Sequence, residues 1–273
     1  MRLLLLALSF LLISTEISAQ TNLRLVVSDP SELSEGKSPK RQAHLNQMVL
    51  EALQKRTEAA GMRGTQVTKA GSDLKISVPK KWKRSFIDPI VLAPGRLEVR
   101  ALSPMAVDWV QNASQLPAGV ELRGAAEPFL WSADRRLLDQ VAEKFSTPTE
   151  MVVVAKHPEG WRTYSGTQVL GREADIDVAK SDRSPNGGAF ISIRFRTSMV
   201  DRLATPAFLD VKTWLVILDG EVLGLVSSTA LATGSIELSA PVSLPSDGQR
   251  QWVSQVAGRL AAPLPIPVAI LPE

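Results

Sequence analysis

The side chains that could do chemistry are few and scattered. The chain has no cysteine and only 2 histidines in 273 residues, which removes thiolate nucleophiles, thiolate metal sites and disulfides. His44 sits at the polar entry of an amphipathic stretch, and His157 stands before a Pro-Glu-Gly turn. Neither has a G-x-S-x-G nucleophile elbow to serve. There is no G-x-x-x-x-G-K phosphate loop and no H-E-x-x-H zinc pair. The nearest approach to a reacting pair is Asp175 with Asp177, and Asp182 close behind. Residues two apart share one face of a strand, and paired carboxylates can hold a cation or exchange a proton. The same spacing suits a solvated strand that runs into the turn KSDRSPNGG, and no third ligand is evident. The expectation is a non-enzymatic protein with no metal and no cofactor. A hydrolase using the Asp175/Asp177 pair is the alternative from a different class.

Contact surfaces are the other possibility. Lys80, Lys81, Trp82, Lys83 and Arg84 form the densest basic cluster, KKWKR. It suits anionic lipid headgroups or an acidic partner. It equally suits a solvated loop whose one indole packs back on the domain. Trp109, Trp131, Trp161, Trp214 and Trp252, with the single Tyr164, are spread through the chain, as core or as the lining of a peptide groove. A formal net charge of +3 is too small to argue for nucleic acid.

The elements that carry these side chains follow from periodicity. Apolar residues make up 44% and charged ones 22% of the chain, an ordinary globular mix. Residues 1–19 have the layout of a secretory signal peptide: Arg2, an apolar run from Leu3 to Ile13, and a small-residue site before Gln20. The alternative is an uncleaved anchor, although the run is well short of the ~20 residues a spanning helix needs. LRLVV, TQVTKA, DLKISVP and GRLEVRAL read as strands. Arg41–Ala60 reads as a helix with Leu45, Met48, Val49, Ala52 and Leu53 inward. RSFIDPIVLA is short and mixed, with room for one helical turn. From Ser103 to Gly160 the pattern weakens, with a helix over Ser132–Phe145 and a strand at EMVVVAK. FISIRFR alternates strictly. Helices are expected at Thr197–Leu209 and Asp247–Ala261, and the tail PLPIPVAIL is extended.

Between them lies WLVILDGEVLGLV. Two apolar runs flank Asp219-Gly220, the dipeptide favoured where both central residues of a two-residue turn need positive φ. Both strands are apolar enough to be covered on both faces. On this reading Ile217 is core and Asp219 is only a turn residue, so Asp219→Ala should cost far less than Ile217→Ala. Short strands and single helices without a regular βα rhythm imply an α+β fold of mainly antiparallel sheets with packed helices.

Two segments resemble the first periplasmic domain of SecD and SecDF, protein-export subunits that work with the Sec translocon. The first is LEALQKRTEAAGMRGTQVTKAGSDLKISVP with PGRLEVRAL; Arg56, Gly61, Val67, Gly71, Asp73, Ile76, Val78, Pro79, Leu97, Glu98 and Arg100 match. The second runs from WLVILDGEVLG to VAGRLAAPLPIPVAIL, with Gly234, Leu260, Leu264, Pro265 and Pro267 matching. Departures are clear: KKWKR stands where the family continues into a Gly, Gly224–Ser228 replaces a Ser-x-Pro step, and Ala261-Ala262-Pro263 lacks the family's Gly. The sequence ends at Glu273, where family members enter a membrane bundle that couples proton flow to export. The resemblance implies a fold and a periplasmic compartment, and not proton-driven translocation. It implies a base-like first half over 20–102, a connecting region over 103–165 and a head-like second half over 166–273. The expected partner is unfolded polypeptide or an envelope protein, with a membrane surface as a further contact and no nucleic acid. A structural or assembly module with no export role is the other non-enzymatic alternative.

Overall fold

The computed structural model describes residues 20–27, 38–103, 116–124, 128–157, 159–184 and 188–271. The expected signal segment, residues 1–19, and Trp109 lie outside the described residues.

The N-terminal strand β1 (Gln20–Val27) alternates, with Leu23, Leu25 and Val27 buried. It pairs antiparallel with β3 (Asp73–Pro79), which pairs with β2 (Gln66–Ala70) across a turn at Gly71, whose φ of 67° suits a residue without Cβ. The other edge of this four-stranded sheet is β14 (Val268–Ile270), the proline-spaced tail, paired with β1. Helices α1 (Pro39–Ala59) and α2 (Arg84–Leu92) cover it, burying Val49, Leu53, Ile87 and Ile90 against Leu25, Leu74 and Ile76. Met48, expected inward, is 40% exposed. Asn46 takes an inward position instead, because its side-chain amide donates to the Ser72 carbonyl at 2.7 Å.

Helix α2 runs for 9 residues, longer than the single turn expected, with Pro89 inside it. Proline has no N–H for the carbonyl four residues back, here that of Ser85. The side chain of Gln255, on α6 (Ser246–Ala261), donates to that carbonyl at 3.1 Å and so replaces the missing bond. A partner from the far end of the chain thus lets the helix run through its proline.

A seven-stranded sheet follows the order β12 (Glu221–Ser227), β11 (Thr213–Leu218), β4 (Leu97–Ser103), β8 (Gly160–Arg172), β6 (Phe129–Ser132), β5 (Glu121–Arg123), with β7 (Met151–His157) paired to β8. A three-stranded sheet has the order β13 (Ser235–Ser239), β10 (Ala189–Phe195), β9 (Ile176–Arg183). Every strand pair described is antiparallel, so the α+β class with antiparallel sheets is as the sequence implied. Helix α6 touches α1 and α2 as well as β9 and β10. A Cβ at Gly258 would lie 3.0 Å from the Arg56 carbonyl oxygen and 3.1 Å from the Ala60 Cβ, so glycine there permits the close contact of α6 with α1.

Helix α3 (Arg135–Phe145) begins later than the sequence suggested. Ser132 ends β6 and is buried; the cap is Asp134, whose carboxylate accepts the Arg136 N–H at 2.9 Å. Helix α4 (Thr197–Leu203) stops well short of Leu209. Pro206 disfavours the helical conformation at Thr205, which ends the helix just before it. A short α5 (Ser228–Ala232) follows β12.

The hairpin of β11 and β12 turns through Asp219 at φ 52° and Gly220 at φ 81°, as the Asp-Gly pair required. Its two strands are not equally covered, contrary to expectation. Trp214 to Leu218 are all buried, but β12 is an edge and Leu225 is 45% exposed. The register slips between Val216 and Ile217, which leaves Leu223 as the extra residue of a bulge. Ile217→Ala should therefore lower stability by about 2–5 kcal/mol, and Leu225→Ala by under about 1 kcal/mol. Denaturant unfolding of the two variants checks the difference; equal losses would contradict this account of the sheet.

Candidate functional site

Alternation along the seven-stranded sheet separates two faces. Trp214, Val216 and Leu218 of β11 point into the core shared with α6 and the three-stranded sheet. Leu215 and Ile217 point the other way and are buried with Val153, Leu102, Met151, Tyr164 and Val222. Every one of these residues belongs to the same sheet. The sheet curls over its own face, and among the described residues strands, not a helix, cover one another there. The bends coincide with register shifts in the β4–β8 pair and with Gly166, where a Cβ would lie 3.1 Å from the Arg100 Cβ.

Farther along the same face, guanidinium groups lie on aromatic rings. On β5 and β6, the Arg123 Cζ is 3.5 Å from the Trp131 ring centroid. On β6 and β8, the Arg162 Cζ is 4.0 Å from the Phe129 centroid and 4.3 Å from that of Tyr164. Gly160 makes room: a Cβ there would lie 3.0 Å from the Trp131 ring. Leu130, Val152 and Val154 point to the opposite side and pack on α3, so the ring–guanidinium face is the one α3 leaves open. Beside it is a cleft of about 510 Å³ whose lining includes Leu102, Pro128, Arg162, Tyr164, Lys212 and Leu225. A concave surface of mixed apolar and polar residues with cations at hand suits an extended chain. Ser165, also in the lining, donates its hydroxyl to the Glu150 carboxylate, and no histidine is among the described lining residues.

A second cluster joins the parts of the molecule. Arg56 of α1 is fully buried. Its guanidinium donates to the carbonyls of Ala262 at 2.6 Å, Ile90 at 2.9 Å, Ala93 at 2.5 Å and Pro94 at 2.7 Å. These are the ends of α2 and α6 and the segment leading into β4. Burial lowers the Arg56 pKa to about 10, with Asp219 opposing and Arg259 adding to the shift, so the group is a cation at neutral pH. Arg259 of α6 grips Asp219 through Nε at 2.9 Å and Nη2 at 2.7 Å. The other Asp219 oxygen accepts the Arg96 N–H at 2.8 Å. Asp219 is thus a buried anchor as well as a turn residue, which corrects the sequence expectation. Arg56 entered that reading only as a matching residue, and Arg259 did not enter it at all.

The sequence candidates separate. Asp175 and Asp177 do not share a strand: Asp175 ends a 3-10 turn and Asp177 lies on β9. Each has its own arginine, Arg202 for Asp175 at 2.8 Å and Arg194 for Asp177 at 2.7 Å. Among the described residues no group of three or more metal-ligating side chains occurs. His44 is exposed on α1, and His157 ends β7 near Phe129. In KKWKR, Trp82 stacks on Phe86 at 4.8 Å and packs against the core, Arg84 pairs with Asp88 at 2.8 Å, and Lys80, Lys81 and Lys83 are exposed. Trp214 is core, Trp161 and Trp252 pack at core margins, and Trp131 alone of these lies on the open face. Among the described residues no helix is long and apolar enough to cross a membrane.

No protein-family model and no curated protein matches the sequence. Solved structures match in fold. One, described as "Crystal structure of SecDF in Super-membrane-facing form", is similar over 93% of this chain at 16% identity, with a TM-score of 0.50. This chain spans 30% of that protein's length. Another, from "Structure and function of a membrane component SecDF that enhances protein export", covers 93% of this chain and 99% of its own, at 14% identity and a TM-score of 0.48. The antiparallel α+β fold of this chain is accordingly that of a segment of SecDF, the fold its two resembling sequence segments implied.

Proposed function

We propose that this protein is an exported, non-enzymatic SecD-like domain of the periplasm that binds extended or unfolded polypeptide in a protein-export setting. The fold and the sequence resemblance support the setting. The observation that carries the binding mode is the open face itself: a curled sheet with an adjoining cleft of about 510 Å³ and an edge strand, β12, that among the described residues pairs only with β11. Such an edge can add a strand of bound peptide through main-chain hydrogen bonds, with Leu225 and Leu102 meeting its side chains. The bulge at Leu223 limits that strand to the Leu225 end of β12.

Hydrogen exchange tests the mode. Adding a permanently unfolded polypeptide should slow exchange of the amides at the Leu225 end of β12 and leave those of β9 unchanged. Unaltered exchange along β12 would refute edge binding. The exposed Lys80, Lys81 and Lys83 favour a second reading, in which KKWKR touches anionic headgroups. Trp82 is turned into the core, so that contact would be electrostatic and would fade as salt rises.

A further inference from the structure

Among the described residues, the buried or half-buried arginines are Arg56, Arg100, Arg123, Arg162, Arg202 and Arg259. An arginine withdrawn from water must replace its hydration with acceptors. Arg56 has its four carbonyls. Arg100 has Glu98, Arg123 has Glu121 and Glu159, Arg202 has Asp175, and Arg259 has Asp219 and Glu221. Arg162 differs. Its guanidinium lies between Phe129 and Tyr164, and its Nε is buried with no hydrogen-bond partner. Directly across the strands from it, Trp131 also has a buried, unpartnered N–H. Rings attract the face of a guanidinium and leave its in-plane N–H donors free. Those donors match a carboxylate, which accepts two parallel hydrogen bonds. Arg162 lines the cleft together with Lys212, a second cation, and among the described residues Asp210 is the one acid in the lining.

We propose that Arg162 receives the carboxylate of an acidic side chain on an extended polypeptide lying across the open sheet face. The proposal rests on the polypeptide-binding reading above and adds a chemical preference to it: a Glu or Asp among apolar residues. Phe129 and Tyr164 hold the guanidinium in position before binding, so little side-chain entropy is lost when the ligand arrives. Lys212 adds long-range attraction, and the apolar members of the lining, Leu102, Pro128 and Leu225 among them, take the neighbouring side chains.

The test is a titration of the full chain with three versions of one short apolar peptide. One carries a single central Glu and an amidated C-terminus, the second has Gln at that position with the same amide, and the third is the Gln peptide with a free C-terminal carboxylate. The Glu peptide should bind about tenfold tighter than its Gln twin. Arg162→Gln should abolish that difference between the two peptides. Arg162→Lys, which keeps the charge without the planar fork, should retain part of the preference. This variant carries the test if Arg162→Gln does not give a native thermal unfolding transition. Equal binding of the Glu and Gln peptides, or a preference that survives both substitutions, would overturn the proposal and leave polypeptide binding intact. A gain only from the free C-terminus would also overturn it, because the site would then read chain ends. Failure of all three peptides to bind would overturn both this proposal and the reading beneath it.

Discussion

Asp219→Ala should lower the stability of the protein by about 3–5 kcal/mol, more than most core truncations. The Asp219 and Arg259 side chains are 9% and 10% exposed, so the pair is largely removed from water. Deleting the carboxylate leaves the Arg259 guanidinium in place with only the more exposed Glu221 at 3.4 Å and the Leu218 carbonyl at 3.4 Å. An unpaired buried cation is the expensive outcome; the pair itself need not be strongly stabilising. The nearby Arg56 loses the one negative charge that offsets its burial. Alanine also tolerates the φ of 52° at this position less well than aspartate does. Asp219→Asn keeps the left-handed tolerance and an acceptor oxygen, so its loss should be smaller. Urea unfolding of the two variants decides the matter, and an Asp219→Ala loss within about 1 kcal/mol of zero would mean the cluster carries no weight.

Arg56→Leu should be at least as severe, costing about 4 kcal/mol or more. Leucine fills much of the volume but donates nothing, and four carbonyls, those of Ile90, Ala93, Pro94 and Ala262, lose their shared donor. An unmet buried acceptor costs about 1–3 kcal/mol, and local relaxation recovers part of it. The damage should be concentrated at the segments leaving α2 and α6. Gly95 lies in the first of these at φ 78°, and a Cβ there would collide with the Arg259 carbonyl and the Arg56 guanidinium, so the space cannot be refilled from that side. Arg56→Lys keeps a charge and fewer donors and should fall between. Because burial lowers the Arg56 pKa to about 10, the unfolded chain holds this proton more tightly than the folded one. The group's own contribution to stability therefore rises as pH climbs through and above that value. Thermal unfolding of both variants at neutral pH is the check; an Arg56→Leu transition close to that of the wild type would contradict the role assigned to the carbonyl cluster.

The hairpin was legible because its signal is local: Asp219-Gly220 fixes the turn, and β-branched and apolar runs fix the strands. The two long helices and the strand at FISIRFR were legible for the same reason, since one face of each repeats at its own period. What could not be read was contact between distant segments. Pro89 looks like a helix stop until Gln255 reaches the carbonyl it leaves free. Asp219 looks like a turn residue until Arg259 closes on it. The Asp175/Asp177 pair looks like shared chemistry until a 3-10 turn separates the two and each meets its own arginine. The open face had a faint signal in FLWS and GWRTY, where alternation sets Phe129, Trp131, Arg162 and Tyr164 on one side. Their segments are short and lie where the pattern is weak, and nothing local says that β5, β6 and β8 are neighbours.

The measurement that bears most directly on the central claim is an equilibrium titration of the folded chain with a permanently unfolded, uncharged polypeptide at low and high salt, with anionic vesicles as a parallel arm. The account predicts saturable binding to the polypeptide in the micromolar region, about −8 kcal/mol, nearly independent of salt. Absence of saturable binding to the polypeptide at either salt concentration would contradict it, whether or not the vesicles bind.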